Sequence, residues 1–478
     1  MLRYSTNKKS VLLALISLIL FCQEASGASK RDFRGAWIQT VFQGYDKRTT
    51  EQNQSYLRSL LDNLQATGIN AVIFQVRPAA DSFYPSPIEP WSRHLTGCIG
   101  AAPARLWDPL QFMIDECHKR GMEIHAWLNP YRVTASANEQ LPDNHLCNLF
   151  PKRFVKYCKR IYFNPALPEN RQHIVGVVRD IITRYDVDGI HFDDYFYPYP
   201  SNGEEFDDEA HYRSSGTKLS KPDWRRRNVD ILIESVHQTI AETKPWVRFG
   251  ISPFGIWRNN TSDPEGSATS GLQNYDDLYA DVPRWAAMGW IDYQIPQLYW
   301  ETDHQRASYR VLCDWWADHG EGRHIYIGQD VKKTADACEL PEKLRQIEEI
   351  GPERIQGNCW WYAGNLPAIS AQLKEKSYST PALVPEYLWK HVEPADKPGT
   401  PVYKDGKLQW NADDHASKWV VYRFDKASDV DVENPSAIKA VTYRPEFIPD
   451  CGGCYVITAL DRANGESDHS SPVTVSLP

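Results

Sequence analysis

The stretch DGIHFDDYFYPYP, residues 188–200, begins like a buried strand and ends in two adjacent aspartates and a cluster of tyrosines. Within a strand, alternate side chains face opposite sides, so Ile190 faces away from the side that His191 and Asp193 share. The same alternation predicts that Asp194 does not share the side of Asp193. A strand that ends in carboxylates and aromatic rings indicates a functional site at the edge of a sheet.

Seven further apolar runs accompany this strand, and amphipathic helical stretches separate them. The helix predicted near 108–121 has Asp108 as its N-cap, Pro109 in its first turn and Gly121 at its end. Eight strand–helix alternations predict an α/β fold of the (β/α)8 TIM-barrel type. The predicted strands are GAWIQT (35–40), AVIFQVRP (71–78), EIHAWLNP (123–130), DGIHFDD (188–194), RFGISPF (248–254), DYQIPQLYW (292–300), HIYIGQD (324–330) and GNCWWYAG (357–364).

The phase of these strands predicts where the site lies. Apolar residues at alternate positions would pack outward against the helices, which turns the residues between them inward. The inward residue near the carboxyl end is repeatedly polar, and barrel active sites are assembled at that rim. Long connections at 79–107, 131–163 and 195–221 follow three of the strands and are expected to build a cleft. The inward set is Gln75, Arg77, His125, Trp127, Asn129, His191, Asp193, Gln297, Tyr299 and Glu301.

The chain divides into two predicted domains. Residues 32–378 form the predicted barrel, and a proline-rich stretch at 379–398 is a predicted linker. Residues 399–478 alternate short strands with turns, which predicts a small β-sandwich that resembles a fibronectin type III module. This second domain shows no catalytic pattern, so a spacer or attachment role is expected for it.

The N-terminus has the pattern of an export signal. In residues 1–28, Lys8 and Lys9 precede the apolar run 11–21, and small residues follow. The run is too short to span a membrane comfortably. Two outcomes stay open, a cleaved signal peptide and a lipoprotein signal that anchors the protein through Cys22. Both predict an exported protein, either periplasmic or at the cell surface.

The composition favours carbohydrate as the partner. The chain contains 17 Trp and 25 Tyr, and such rings stack well on sugars and bases. The net charge of −9 argues against a nucleic acid or an anionic membrane. No strand carries the paired histidines of a barrel metal site, so no metal or cofactor is expected. We expect a monomer.

Hydrolysis of a glycosidic bond needs two carboxyl groups across a sugar ring. The predicted catalytic pair is Asp193, from the fourth strand, and Glu301, after the sixth. Asp194 is the close alternative. Like charges held near each other raise the pKa of one of them, as an acid catalyst requires.

The residues expected to bind substrate or to tune the acids lie along the same rim and its loops. Several of them also fit packing or orienting roles, notably the tryptophans, Asp330 and His191. The set is Trp37, Gln75, Arg77, His125, Asn129, Tyr131, Arg132, His191, Tyr195, Gln297, Tyr299, Asp330, Trp360 and Trp361.

Six motifs stand out in the first domain, FRGAWIQT, GINAVIFQVRPAADSFYPS, GMEIHAWLNPYR, YDVDGIHFDDYFYP, GISPFGIWRN and WIDYQIPQLYWE. Together they resemble the glycosyl hydrolase-like 10 family of exported bacterial barrels, and the resemblance covers roughly residues 34 to 373. The resemblance implies a (β/α)8 glycosidase that acts on glycans outside the cytoplasm. A looser similarity joins DGIHFDDY to the family 18 chitinases, from which His191 and Tyr195 depart. Another joins it to the alpha-amylase family, whose nucleophile would fall at Asp193.

The sequence therefore predicts an exported glycoside hydrolase that cuts O-glycosidic bonds. The predicted substrate is the glycan strand of peptidoglycan or another polysaccharide. The alternative is a non-catalytic protein of the cell envelope that binds a glycan in the same aromatic cleft.

Overall fold

A computed structural model describes residues 29–134, 139–201 and 203–477, so the predicted signal sequence and Cys22 lie outside the described residues. The first domain is built on a parallel sheet of nine strands. They are β1 (Phe33–Ile38), β2 (Ala71–Arg77), β3 (Glu123–Leu128), β6 (Gly189–Phe192), β7 (Arg248–Ile251), β8 (Tyr293–Gln294), β9 (His324–Ile325), β10 (Ile327–Asp330) and β11 (Gly357–Trp361). Their order in the sheet is β10-β11-β1-β2-β3-β6-β7-β8-β9. Because only Tyr326 separates β9 from β10, these two are halves of one strand, and the sheet forms a nearly closed barrel. The predicted barrel is confirmed.

Helices cover the outside of the barrel, and a small hairpin stands in the connection after β3. The hairpin pairs β4 (Phe154–Tyr157) with β5 (Arg160–Phe163). The α-helices are α1 (Thr50–Thr67), α2 (Arg93–Thr96), α3 (Pro109–Lys119), α4 (Leu146–Leu149), α5 (Pro168–Arg184), α6 (Glu209–Ser214), α7 (Lys221–Thr243), α8 (Asn274–Asp277), α9 (Val282–Ala287), α10 (Tyr309–Asp318), α11 (Val331–Asp336), α12 (Leu340–Ile350) and α13 (Ser370–Lys376). None of the helices in this described part of the chain combines the length and apolar character needed to cross a bilayer.

The helix boundaries follow from local capping chemistry. The Asp108 side chain accepts a hydrogen bond from the backbone N–H of Gln111, and Pro109 occupies the first turn of α3, as predicted. Gly121 follows the end of this helix with φ +72°, a left-handed conformation that glycine adopts without steric cost. These caps set where each helix ends and therefore where the next strand can begin.

Strand alternation produces two separate cores. The outward residues pack between strands and helices in the main core, and they include Val72, Phe74, Val76, Ile124, Ala126, Leu128, Ile190 and Phe192. The inward residues form a smaller core inside the barrel that is largely aromatic, and it includes Phe33, Trp37, Trp127, Tyr293 and Tyr326. The predicted phase of these strands is confirmed. Most of these rings carry an N–H or O–H group, and a few aliphatic side chains such as Ile73 and Ile295 fill the space between them.

The C-terminal part consists of two small antiparallel sheets. One holds β12 (Val402–Lys404), β13 (Lys407–Gln409) and β16 (Glu446–Phe447); the other holds β14 (Lys418–Phe424), β15 (Ile438–Thr442), β17 (Gly453–Leu460) and β18 (Val473–Val475). Leu408, Trp419, Val421 and Tyr455 share one core between the sheets. The fibronectin type III resemblance stays a prediction.

The stretch 379–398 packs against the barrel rather than spanning open solvent. Leu383, Val384 and Tyr387 are buried, and the Tyr387 hydroxyl lies 2.9 Å from that of Tyr326 inside the barrel. The second domain also touches the first directly, because Tyr443 stacks on His118 at 3.9 Å between ring centroids. The predicted linker therefore closes the amino-terminal end of the barrel, opposite the predicted site.

Candidate active site

Two aspartates, Asp193 and Asp194, directly follow β6 at the carboxyl rim of the barrel. Because β6 ends at Phe192, Asp193 and Asp194 lie just beyond the region where strict strand alternation applies. They face different neighbours, Asp193 toward the end of β3 and Asp194 toward Gln297, which follows β8. Both carboxyls are nevertheless buried at this rim, 4% and 3% exposed.

Asp193 accepts hydrogen bonds from two side chains near the end of β3. The Trp127 indole N–H donates to Oδ2 at 3.1 Å, and Nδ2 of Asn129 lies 3.1 Å from both carboxyl oxygens. Burial and then the adjacent Asp194 charge raise the pKa of Asp193 to about 7, although Arg132 and the two donors act in the opposite direction. Asp193 is therefore able to hold or release a proton near neutral pH.

Asp194 has a separate set of partners. The Tyr199 hydroxyl donates to its Oδ2, and Gln297 supplies a further hydrogen bond. Burial raises the pKa of Asp194, while these two hydrogen bonds oppose the shift. Nε2 of Gln297 also donates to the backbone oxygen of Ser252 at 3.0 Å, which holds the amide in place beside the carboxylate.

Three tryptophans form an aromatic floor beside Asp193. Trp361 meets Trp127 edge to face at 6.0 Å and Trp37 at 6.2 Å between ring centroids. Trp37 and Trp127 are buried, whereas Trp361 is partly exposed. The half-open ring of Trp361 offers a surface on which a sugar can stack next to a carboxyl that carries a proton.

A second group of rings borders Asp194. Tyr199 packs against Tyr195 at 5.5 Å and against Phe254 at 6.0 Å, and Phe254 packs against Trp300 at 5.4 Å. The Arg132 guanidinium lies over the Tyr195 ring, 4.2 Å from its centroid. Arg132 is thus held near both aspartates, where a cation can bind an anionic or hydroxyl group of a ligand.

Three other predicted binding residues sit deeper or to the side. Oε1 of Gln75 accepts from the backbone N–H of Thr40 at 2.9 Å, which ties β2 to the loop after β1. His125 and His191 are fully buried in the barrel interior and bond to the hydroxyl of Tyr293. These two histidines lie below the rim, and their predicted contact with a ligand stays a prediction.

Arg77 is predicted to bind substrate, but the structure places it under the loops. Nε and Nη2 donate to the Glu89 carboxylate at 2.7 and 2.6 Å, and Nη1 donates to the backbone oxygens of Asn129 and Pro130. The pairing of β2 with β3 slips between Gln75 and Arg77, and this irregularity breaks the predicted inward phase. Arg77 fastens the connection after β2 to the end of β3.

Tyr131 and Trp360 are also corrected, whereas a binding role for Asp330 stays a prediction. Tyr131 and Trp360 belong to the main core outside the barrel, and Trp360 donates to the Tyr378 hydroxyl at 3.1 Å. Because Trp361 faces inward, strand alternation turns Trp360 outward. Asp330 caps α11 by accepting from the backbone N–H of Lys333 at 2.9 Å.

Glu301 and Tyr299 follow β8 on the same rim. Glu301 is exposed, and its backbone oxygen accepts hydrogen bonds from the N–H groups of His304 and Tyr309 in the turn that leads into α10. Tyr299 lies inside the mouth of the barrel, where burial and then the charges of Asp194 and Asp330 are among the causes that raise the pKa of its phenol well above its usual value. Glu301 is therefore a solvent-facing carboxylate of the rim.

The sequence reasoning missed Tyr199, Ser252 and Phe254. Tyr199 belongs to the tyrosine cluster after Asp194, so the cluster itself was the available indication. Ser252 and Phe254 follow β7, and only the tertiary structure shows that Ser252 contacts His191 and that Phe254 packs on Tyr199. The complete arrangement can protonate a leaving oxygen from Asp193 while a sugar rests on Trp361.

A barrel with paired buried carboxyls beside an aromatic floor at its carboxyl rim has the architecture of a glycoside hydrolase. In such barrels the site residues come from the ends of several strands, as Trp127, Asp193 and Gln297 do here. The chain belongs to the family described as Glycosyl hydrolase-like 10, whose profile matches residues 32–343.

Relatives agree with this placement. The chain is 38% identical to Glycosyl hydrolase YngK of Bacillus subtilis (strain 168), over 98% of this chain and 99% of that protein. It is 37% identical to Glycosyl hydrolase DigH of Escherichia coli (strain K12), over 72% of this chain and 80% of that protein. The glycoside hydrolase domain of PgaB (BpsB) from Bordetella bronchiseptica has a TM-score of 0.48 at 12% identity and covers 73% of this chain and 99% of its own. The family match and the two sequence relatives, YngK and DigH, support a glycosidase-type function.

Proposed function

We propose that this protein is an exported glycoside hydrolase that cleaves O-glycosidic bonds with carboxyl groups at the barrel rim. The observation that carries the proposal is the burial of Asp193 and Asp194 side by side, with the pKa of Asp193 raised to about 7. A carboxyl that keeps its proton near neutral pH is suited to protonate a departing glycosidic oxygen.

Asp193 is assigned the role of general acid. The Trp127 and Asn129 donors fix its orientation, and Trp361 stands beside it as a stacking surface for the sugar. After the glycosidic bond breaks, the leaving oxygen carries the proton that Asp193 held. The anionic carboxylate that remains is stabilised by the same two donors and by the nearby Arg132 charge.

The second carboxylate is either Asp194 or Glu301. Asp194 is buried beside Asp193 and is oriented by Tyr199 and Gln297. Glu301 faces solvent after β8, which lies two strands from β6 in the barrel, so a sugar ring could lie between Glu301 and Asp193. Separations of about 5–5.5 Å and about 6.5–9.5 Å between the two working carboxyls distinguish retaining from inverting enzymes.

The proposed substrate is the glycan strand of peptidoglycan, with another extracellular polysaccharide as the broader class. The aromatic floor fits the apolar faces of sugar rings, and Arg132 offers a cation beside the two aspartates. The export pattern of residues 1–28 would deliver the protein to the compartment where such glycans occur. Export by a cleaved signal peptide or as a lipoprotein through Cys22, and function as a monomer, belong to the same proposal.

Turnover on defined glycans tests the proposal. Wild type and the variants Asp193→Asn, Asp194→Asn and Glu301→Gln are incubated with peptidoglycan glycan strands and with plant and microbial polysaccharides, and new reducing ends are counted. We expect Asp193→Asn to lose about 10²–10⁴-fold in kcat. The second carboxylate is the one whose amide variant shows a comparable loss. Wild-type rates in Asp193→Asn would contradict the assignment, and Asp303→Asn, an exposed rim carboxyl, serves as the matched control.

The same panel separates the enzyme from a glycan-binding protein. If no glycan is cut, calorimetric binding of oligosaccharides to wild type and to Trp361→Ala decides whether the cleft binds sugars. Binding that Trp361→Ala abolishes, without turnover in any variant, would replace the hydrolase proposal by the binding-protein alternative.

A further inference from the structure

A column of polar side chains runs through the barrel interior beneath Asp193. Glu123, His125, Tyr293 and His191 form it, and each is at most 1% exposed. Nδ1 of His191 lies 3.1 Å from the Tyr293 hydroxyl, which lies 2.7 Å from Nδ1 of His125. Nε2 of His125 lies 3.4 Å from Oε2 of Glu123. The column therefore joins the bottom of the barrel to the layer directly below the candidate site.

The barrel makes room for this column with glycines at inward positions. A Cβ atom added at Gly189 would overlap the imidazole of His125, and one added at Gly250 would overlap the ring of Tyr293. Both glycines have ordinary strand conformations, so the need for them is space rather than backbone freedom. The space inside the barrel beside β6 and β7 is therefore occupied by the rings of His125 and Tyr293.

The lower end of the column is closed by the C-terminal domain. Nζ of Lys418, at the start of β14, lies 2.5 Å from Oε1 of Glu123, and Nδ2 of Asn464 donates to the same oxygen at 2.9 Å. Arg248 at the start of β7 adds a third donor at 3.4 Å. Burial alone would raise the pKa of Glu123, but the Arg248 and Lys418 cations outweigh it and hold that pKa well below its usual range.

With both imidazoles neutral, one set of hydrogen-bond directions satisfies both ends of the column. At the top, the Trp37 indole N–H, 3.4 Å from Nε2 of His191, can only donate, and the Ser252 hydroxyl, 2.9 Å from the same nitrogen, can donate as well. Nε2 then accepts, and the Nδ1–H of His191 donates to Tyr293. Tyr293 then donates to Nδ1 of His125, whose Nε2–H donates to Glu123. At the bottom, an ionised Glu123 can only accept, which requires the same direction.

We propose that this column is a positioning device through which Lys418 of the C-terminal domain fixes His191 as its Nδ1-protonated tautomer beneath Asp193. A proton on Glu123 would reverse each bond in turn and place a hydrogen on Nε2 of His191, facing the Trp37 N–H. Since Trp37 packs on the Trp361 ring of the floor, that reversal would disturb the sugar surface as well. The inference rests on the proposed role of Asp193, and it gives the C-terminal domain a part in the site in place of the expected spacer role.

Few other charged groups face the column. Asp188 lies near Glu123 and Lys418 at the barrel bottom, and its carboxylate is paired with His118 at 3.0 Å. Around His191, the neighbours from β7 and β1 are the Ser252 hydroxyl, 2.9 Å from Nε2, and the neutral indole of Trp37. Burial holds the pKa of His191 well below its usual range, so the ring stays neutral.

The charge at the bottom of the column also acts on Asp193 from a distance. The β3–β6 register pairs Leu128 with Phe192, so Asp193 stands level with Asn129, six positions above Glu123. At a rise of about 3.3 Å per residue, the separation is about 20 Å. One unit charge at that distance shifts a titration midpoint by about half a pH unit at an effective dielectric constant of about 20.

The tautomer of His191 is the first test. The full chain is labelled with [15N]histidine, the His191 resonances are identified by their loss in His191→Gln, and the two ring nitrogens are read by NMR between pH 5 and 9. We expect a protonated Nδ1 and a bare Nε2 throughout, and a mixture of both tautomers in Tyr293→Phe, which removes one oxygen and no charge. A protonated Nε2 in wild type, or an unchanged tautomer in Tyr293→Phe, would overturn the proposal.

Two charge variants form the second test. The carboxyl 13C resonance of Asp193 is titrated in two variants. Glu123→Gln removes one negative charge and leaves the Lys418 and Arg248 cations, whereas Lys418→Met removes one positive charge and leaves Glu123 with Arg248. The midpoint should fall by about half a pH unit in the first and rise by about the same in the second. Lys407→Met removes an exposed ion pair with Glu446 in the same domain and should change nothing.

A shift in the same direction in both charge variants, or no shift beyond that of Lys407→Met, would count against the column. Tyr293→Phe keeps the test decisive if a charge variant fails to fold, because it preserves every ion pair. Neither resonance depends on turnover. A failure to cleave glycans would therefore weigh against the proposed function alone, and an unfixed tautomer would weigh against the column alone.

Discussion

Replacing Asp193 by asparagine should change how the stability of the protein depends on pH. Burial and the Asp194 charge raise the pKa of Asp193 in the folded protein to about 7, whereas the same carboxyl in the unfolded chain ionises near pH 3.8. Between these values the folded protein holds a proton that the unfolded chain has released. The free energy of unfolding therefore falls as pH rises through this window, and the stability is fully present only below the lower value.

The size of the effect follows from the shift. One pKa unit corresponds to about 1.4 kcal/mol, so from pH 5 to the midpoint near 7 the free energy of unfolding loses about 3 kcal/mol through Asp193. Because the side chain is only 4% exposed, solvent screening does not reduce this figure much. Asparagine carries no titrating proton, so Asp193→Asn should lack this part of the pH dependence.

The assay is urea unfolding of wild type and Asp193→Asn at pH 5 and pH 8, followed by tryptophan fluorescence. We expect wild type to lose about 3 kcal/mol more than the variant across this interval. The control is Asp303→Asn, whose carboxyl is 85% exposed on the same rim and which should follow wild type. An equal pH dependence in wild type and Asp193→Asn would refute the assignment of a raised pKa, and with it the proton-donor role.

Three further perturbations follow from the structure. Trp127→Phe removes the N–H donor that lies 3.1 Å from Asp193, so the basic limb of a pH–rate profile should move to higher pH while kcat falls. Tyr387→Ala removes a fully buried ring at the barrel bottom and should lower the free energy of unfolding, measured with denaturant, by about 3–5 kcal/mol. A loss of less than about 1 kcal/mol would instead indicate that the stretch 379–398 is only a loose linker. Glu123→Gln leaves Lys418 buried without its carboxylate and should lower the free energy of unfolding by about 3–5 kcal/mol, and a change within experimental error would contradict the buried ion pair.

Much of the barrel could be predicted because its cause is local. Alternation of apolar residues along β2, β3 and β6 assigns each side chain to the interior or the exterior, and the structure follows that assignment. The same periodicity predicted an inward Asp193 near a carboxyl strand end. The rim position of the site follows from the barrel itself, since parallel strands bring all their carboxyl ends to one edge.

The failures share a physical reason. Periodicity holds only within a regular strand, and the pairing slip after Gln75 turns Arg77 toward Glu89 instead of the cleft. Next to an inward Trp361, alternation sends Trp360 into the outer core, a choice that the sequence motif GNCWWYAG does not reveal. Of two adjacent tryptophans in a strand, one faces the barrel interior and the other faces the helices, and only the register of the strand decides which one faces inward.

By itself, the sequence determined the class of fold, the family and the rim that carries the site, because these depend on repeating local patterns and on motifs within single strands. The tertiary structure decided which polar groups meet. Lys418 and Glu123 are 295 residues apart in the chain, yet they form a 2.5 Å ion pair that closes the barrel interior. No local pattern predicts such a contact, since its partners are selected by how two separately built domains pack and by the cost of leaving a buried charge alone.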